Sequence, residues 1–171
     1  MSFLSKLLGT EPDPREALRP LWHRAVTLAR TPDFYSECHV ADSVAGRFDM
    51  ITAVSACMMV RLEASNMHSE SALFAELFVE DMEGQMREFG VNDVVVGKRM
   101  GKVMSSLGGR LGAYRPALNN RDLAALSSAM ERNVTFNEGG SPECAATMLL
   151  ALMDELSALS DEELLAAKAD A

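Results

Sequence analysis

The residues best suited to chemistry crowd into the stretch FVEDMEGQMREFGVND, positions 78–93. Glu80, Asp81, Glu83, Glu88 and Asp93 stand there among phenylalanine and methionine. Such carboxylates could hold a cation, move protons, or form the polar ridge of a helix. A calcium loop beginning at Asp81 would need glycine sixth and glutamate twelfth, where Met86 and Asn92 stand. A di-iron bundle would need Glu-x-x-His pairs, which are absent. His23, His39 and His68 are isolated, and Cys38, Cys57 and Cys144 are far apart with no CxxC, which leaves zinc without a ligand set. No P-loop, G-x-S-x-G turn or Cys/His nucleophile setting appears. The carboxylates therefore have neither nucleophile nor metal to work with. No catalytic, cofactor-binding or metal residue is expected, and a helical enzyme acting on a small substrate through carboxylates stands only as an alternative.

The helical reading accounts for more. At about 100° per residue, Phe74, Phe78, Met82, Gln85 and Phe89 share one face. Asp81 and Glu88 border it, while Glu76, Glu80 and Glu83 point outward. Glu83 and Arg87 make an i,i+4 pair. A carboxylate on an apolar border needs a cation or several donors. Arg61, in line with Met50, Val54 and Cys57, and Arg47, beside Asp49, are the expected partners. Asp81 and Glu88 are accordingly expected to be at least half buried, with Arg47 or Arg61 within salt-bridge distance of one of them.

The elements that position these groups are nearly all helical. Asp13-Pro14-Arg15-Glu16 supplies a cap, a first-turn proline and a capping glutamate. Helices are expected over about 20–29, from Gly46 onward, and over 70–89, 98–114 and 123–134. Ser141-Pro142 starts another, and Ser160 to Glu163 opens a short last one by the capping-box pattern. Residues 34–45 read as a connecting loop, and only Val94-Val95-Val96 looks like strand. The expected fold is all-α, a single compact domain of about six to seven helices. It divides into a mobile or membrane-surface tail over 1–14, a helical domain over 15–137, and acidic helices over 138–171.

With 171 residues, 48 % of them hydrophobic, the chain can bury one real core. A net charge of −9 argues against DNA or other nucleic acid as its main partner. Scattered cysteines suit a reducing compartment, where they pack as small apolar residues. No window is apolar enough for a membrane span. The protein is expected in a bacterial cytoplasm, or peripheral on the cytoplasmic face of the inner membrane. Phe3, Leu4, Leu7 and Leu8 around Lys6 are the one amphipathic turn that could rest on a membrane.

Acids and bases are segregated. Between Ser69 and Asp93 the acids dominate, whereas Lys98, Arg99, Lys102, Arg110, Arg115 and Arg121 follow with no acid among them. Either consecutive helices carry complementary charge, or the basic stretch meets an anionic partner. Within it, Gly101, Ser105, Gly108 and Gly112 project on one helix face, with Gly109 at its edge and Met100, Met104, Leu107 and Leu111 beside them. Glycine costs a helix roughly 1 kcal/mol relative to alanine, so a compensating close approach is expected. That approach is either an internal helix crossing or contact with a client helix.

The order Ala29-Arg30, Phe34-Tyr35, Val40, Asp42-Ser43, Gly46-Arg47-Phe48-Asp49-Met50 and Arg61-Leu62 resembles the ubiquinol–cytochrome c chaperone family. The likeness continues through Leu73-Phe74, Phe78 to Glu83, Arg87-Glu88-Phe89-Gly90-Val91, Asp93, Lys98-Arg99-Met100, Gly109-Arg110, Ala113-Tyr114 and Arg132-Asn133. It spans about 21–136. Ser43 stands where the family usually has threonine, Ser55 where it commonly has histidine, and Leu107-Gly108 where it has an aromatic pair. The resemblance implies an all-helical assembly chaperone without a catalytic site or cofactor. Its implied client is newly made cytochrome b of the bc1 complex, held before partner subunits join, and the membrane surface or the ribosome exit region would be nearby. Phe34, Tyr35, Asp42, Gly46, Arg47, Phe48, Asp49, Arg61, Asp81, Arg87, Glu88, Gly90 and Asp93 are then signature or structural positions. Candidate client contacts are Met82, Met86, Lys98, Arg99, Gly101, Lys102, Met104, Ser105, Gly108, Gly109, Arg110, Gly112 and Tyr114. A generic helical interaction scaffold is the remaining alternative.

Overall fold

The computed structural model describes residues 13–88 and 93–167, with no side-chain detail for 93–99. The N-terminal turn around Lys6 and Gly90 therefore lie outside the described residues, as do the side chains of Asp93, Lys98 and Arg99. Six helices of ten or more residues carry the fold, and the described residues form no sheet.

A 3₁₀ turn, Pro14–Leu18, starts where Asp13 accepts from the Arg15 backbone N–H. It leads into α1 (Arg19–Leu28). Thr31-Pro32 ends that helix and also begins a short one, α2 (Pro32–Ser36), with proline in its first turn, where the sequence suggested only loop. Helix α3 (Val44–Ala64) is capped by Ser43, whose hydroxyl accepts from Gly46 N–H. Every residue from Asp49 to Leu62 is buried, so that stretch of α3 has no solvent face and forms the axis around which the others pack.

Helix α4 (His68–Glu88) and helix α5 (Asp93–Asn120) lie against α3 and against each other. Val94 to Val96 is helical, its β-propensity overridden by the helix that contains it. Helix α6 (Leu123–Asn133) pairs closely with α7 (Pro142–Ala158), which also packs on α3. The expected capping box at Ser160 and Glu163 is present and opens α8 (Asp161–Leu165). Trp22 of α1 meets the edges of Phe74 and Phe78 of α4, which ties the N-terminal helix to the core.

Cys38 and Cys144, which the sequence suggested would be separate packing residues, form a disulfide across 106 positions. The correction has a topological reason. The turn after α2 and the start of α7 run side by side, with Cα atoms 5.3 Å apart, and nothing in the spacing announces it. Cys57 behaves as expected: it is fully buried, and burial pushes its thiol up to about 12.

Candidate functional site

The deepest polar contact joins α3 to α5. Asp49 is 4 % exposed, and its carboxylate receives Arg110 at 2.6 Å. Both the N–H and the hydroxyl of Thr135 donate to its other oxygen. The Arg110 guanidinium also lies over the Phe48 ring, 5.2 Å from its centre. Arg110 was a candidate client contact, but here it holds two helices in register. Tyr114, one turn further along α5, is fully buried, and its hydroxyl is pushed above its ordinary range by that burial. A surface role for Tyr114 is therefore replaced by a core one.

The acids of the 78–93 stretch take other partners than the expected ones. Asp81 is half-buried and accepts from Gln85 on its own helix, at 2.9 Å. Glu88 is exposed. Arg47 is exposed and bound to Asp42, whose carboxyl it holds below the usual range. Arg61 is buried, but toward α7: it donates to the carbonyls of Leu156 and Leu159 at that helix's C-terminal end and to Asp161. The inter-helix pair foreseen between one of these acids and Arg47 or Arg61 does not form, since both arginines are engaged elsewhere. Helical periodicity located the border of the apolar face without revealing that no described helix brings a cation to it. Glu80 points outward but is engaged, taking Arg15 at 2.8 Å and Arg19 at 3.3 Å. The Glu83–Arg87 pair forms as expected, at 2.8 Å.

Three described bases in α5 or just after it pair with other helices than α4. Arg110, Arg115 and Arg121 pair with Asp49, Glu63 and Asp154, on α3 and α7. Phe34, Tyr35 and Gly46, three further signature positions, make contacts within the fold. Phe34 is buried, and Tyr35 closes α1 by donating to the Ala29 carbonyl at 2.7 Å. Gly46 lies so close to the Ala41 carbonyl that a Cβ would overlap its oxygen.

Leaving Asp81 uncovered creates the main concavity. A groove of about 630 Å³ runs between α1, the first turns of α3, and α4. Its floor is apolar, made by Val26, Phe48, Ile51, Met82 and Met86. Val44, 75 % exposed, also lines it, together with the charged side chains of Arg30, Arg47 and Asp81. Two of the candidate client contacts, Met82 and Met86, line it.

The glycine face of α5 is the second open surface. A Cβ at Gly101, Gly108, Gly109 or Gly112 would meet nothing within 4 Å. Those glycines, with Lys102, Ser105 and the 46 %-exposed Met104, face outward. Among the described residues, no internal helix crossing covers them. Among the described residues, no three His, Cys, Asp or Glu side chains gather to hold a metal ion, and no helix is long and apolar enough to cross a membrane.

Residues 36–171 match the family model described as ubiquinol-cytochrome C chaperone. Among solved structures, the chain is similar to the crystal structure of the Cbp3 homolog from Brucella abortus. The two are 29 % identical with a TM-score of 0.75, over 89 % of this chain and 86 % of that one. No curated protein matches the chain.

Proposed function

Because the chain belongs to the ubiquinol–cytochrome c chaperone family, we propose that it holds newly made cytochrome b by an apolar helical segment until the partner subunits of the bc1 complex arrive. The observation that carries this is the groove. It is lined mostly by apolar side chains, among them a three-quarters-exposed valine. An exposed apolar concavity of this kind marks a binding surface. Met82 and Met86 suit varied client side chains, because an unbranched thioether re-packs at little cost. A helix laid in a groove is anchored by residues three and four apart.

The α5 face adds a second contact. Gly101, Gly108 and Gly112 let another helix approach closely, as small residues do between membrane helices. Lys98, Arg99 and Lys102 belong to the same end of α5 and would meet lipid headgroups or acidic loops. The work is non-catalytic, at the cytoplasmic face of the inner membrane, with the 1–9 segment as its contact with lipid and the ribosome exit region close by.

Cytochrome b co-purification tests the proposal. Wild-type protein should retain cytochrome b, and a Val44→Lys, Met86→Lys variant, changed only at exposed or part-exposed groove positions, should lose it while melting normally. In cells lacking the protein, haem b signal and assembled bc1 complex should fall with cytochrome b transcript unchanged. Normal bc1 levels would sink the reading. Removing residues 1–9 should shift the protein from the membrane to the soluble fraction without altering its helicity.

A further inference from the structure

The disulfide lies at one end of an unbroken line of contacts that finishes in the groove. Cys38 and Cys144 join two segments, 37–43 and 134–141, that are otherwise held by a few backbone bonds. Ala41 donates to Thr135 at 2.9 Å, Asn137 to His39 at 2.8 Å and Ser141 to Cys38 at 3.0 Å, beside a single bridge between Val40 and Phe136. His39 sits between them at φ +56°, a conformation a non-glycine residue keeps only when its neighbours hold it. The Ala41 carbonyl presses on Gly46 in the first turn of α3. Thr135 holds Asp49, Asp49 holds Arg110, and Arg110 covers Phe48. Val44, Arg47 and Phe48, on that same first turn, are one wall of the groove.

We infer that the Cys38–Cys144 bond is a redox-operated latch on the groove. Closed, it fixes the first turn of α3 as a rigid wall; reduced, it leaves that wall to two short segments and their few hydrogen bonds. The inference rests on the groove being the client site. A preformed wall binds an apolar helix more tightly because less ordering is lost on binding. In a reducing cytoplasm such a bond is transient and therefore suited to signalling.

The chemistry balances with a low-molecular-weight disulfide, such as oxidised glutathione, as oxidant. Cys144 is the part-exposed partner and stands in the first turn of α7, where the helix N-terminus favours thiolate. It attacks glutathione disulfide and releases one glutathione. The buried Cys38 thiol then loses its proton, attacks the Cys144 sulfur of the mixed disulfide and releases the second. Two thiols are oxidised, one glutathione disulfide is reduced, and two glutathione molecules leave.

The test uses the full chain equilibrated with oxidised glutathione or with dithiothreitol. Alkylation in denaturant should add one label after oxidation, at Cys57, and three after reduction. Reduction should speed amide exchange at Ala41, Asn137 and Ser141 by about tenfold. It should also speed exchange at Arg47, in the first turn of α3, and weaken binding of the apolar anion anilinonaphthalene sulfonate by about fivefold. A Cys38→Ser, Cys144→Ser protein should behave as the reduced form in both buffers; if it does not fold, reduced wild type makes the same comparison. Three labels after oxidation would overturn the latch. So would exchange at Arg47 and probe affinity that do not differ between the two states, since the bond would then be only a staple. Cytochrome b capture that is absent in both states, with the redox difference in probe binding intact, would instead remove the client reading and leave the latch standing.

Discussion

Arg110 reaches from α5 to Asp49 of α3, Nη2 to Oδ1 at 2.6 Å, with the carboxylate almost fully shielded from water. Thr135 closes the other side of the carboxylate with two donors. Three separated parts of the chain therefore meet at one buried charge.

Removing that charge should be costly. Asp49→Ala should destabilise by about 3–5 kcal/mol, because it strands a largely buried guanidinium. Asp81→Ala should cost less than about 1 kcal/mol, its partner being a glutamine on the same helix. Urea unfolding of the two variants checks the contrast. Adding Arg110→Met to Asp49→Ala should restore part of the loss, whereas two additive losses would show that the pair is not coupled.

Gly46→Ala should destabilise by roughly 1–3 kcal/mol, since the new methyl meets backbone rather than a yielding side chain. Thermal melting detects it. The loss should be accompanied by faster amide exchange at Ala41, the residue whose carbonyl is displaced.

Substitutions on the open face of α5 should have the opposite sign. Gly108→Ala and Gly112→Ala place their methyl groups in open space, so each should stabilise by up to roughly 1 kcal/mol. A melting temperature that rises while cytochrome b capture falls would identify that face as a contact. If capture is unchanged, the contact lies in the groove alone.

Acid should loosen the end of the chain through Asp161. The Ser65 hydroxyl and then Arg61 hold its carboxyl below the usual carboxylate range. Its folded pKa is thus lower than its unfolded one. The stabilising contribution is complete above the unfolded value, near pH 4. It is lost as pH falls through the depressed folded value. Carboxyl NMR should show Asp161 titrating below the ordinary range in wild type and within it when Ser65→Ala and Arg61→Met are combined. Amide exchange in α8 should rise as Asp161 protonates.

Much of the fold was legible because helices are local objects. Asp13, Ser141 and Ser160 cap what they were positioned to cap, and the periodicity of α3, α4 and α6 follows from residues three and four apart. The short helix after Pro32 and the helical Val94 to Val96 escaped, since neither has a period long enough to read. The family, too, was legible in the ordered string from Gly46-Arg47-Phe48-Asp49 to Arg132-Asn133.

What the sequence alone determined is therefore which segments are helical, where they begin, which faces are apolar, and the family they belong to. Only the tertiary structure decided who meets whom. Helical angles placed Asp81 beside the apolar face, yet that border lies open as the wall of a groove. They placed Arg61 in the core, yet its partners come from Leu156, Leu159 and Asp161, nearly a hundred residues away. The same holds for Asp49 with Arg110 and for Cys38 with Cys144. Caps and periods are set by covalent neighbours, whereas a partner across the core is set by how whole helices stack, and that depends on every face at once.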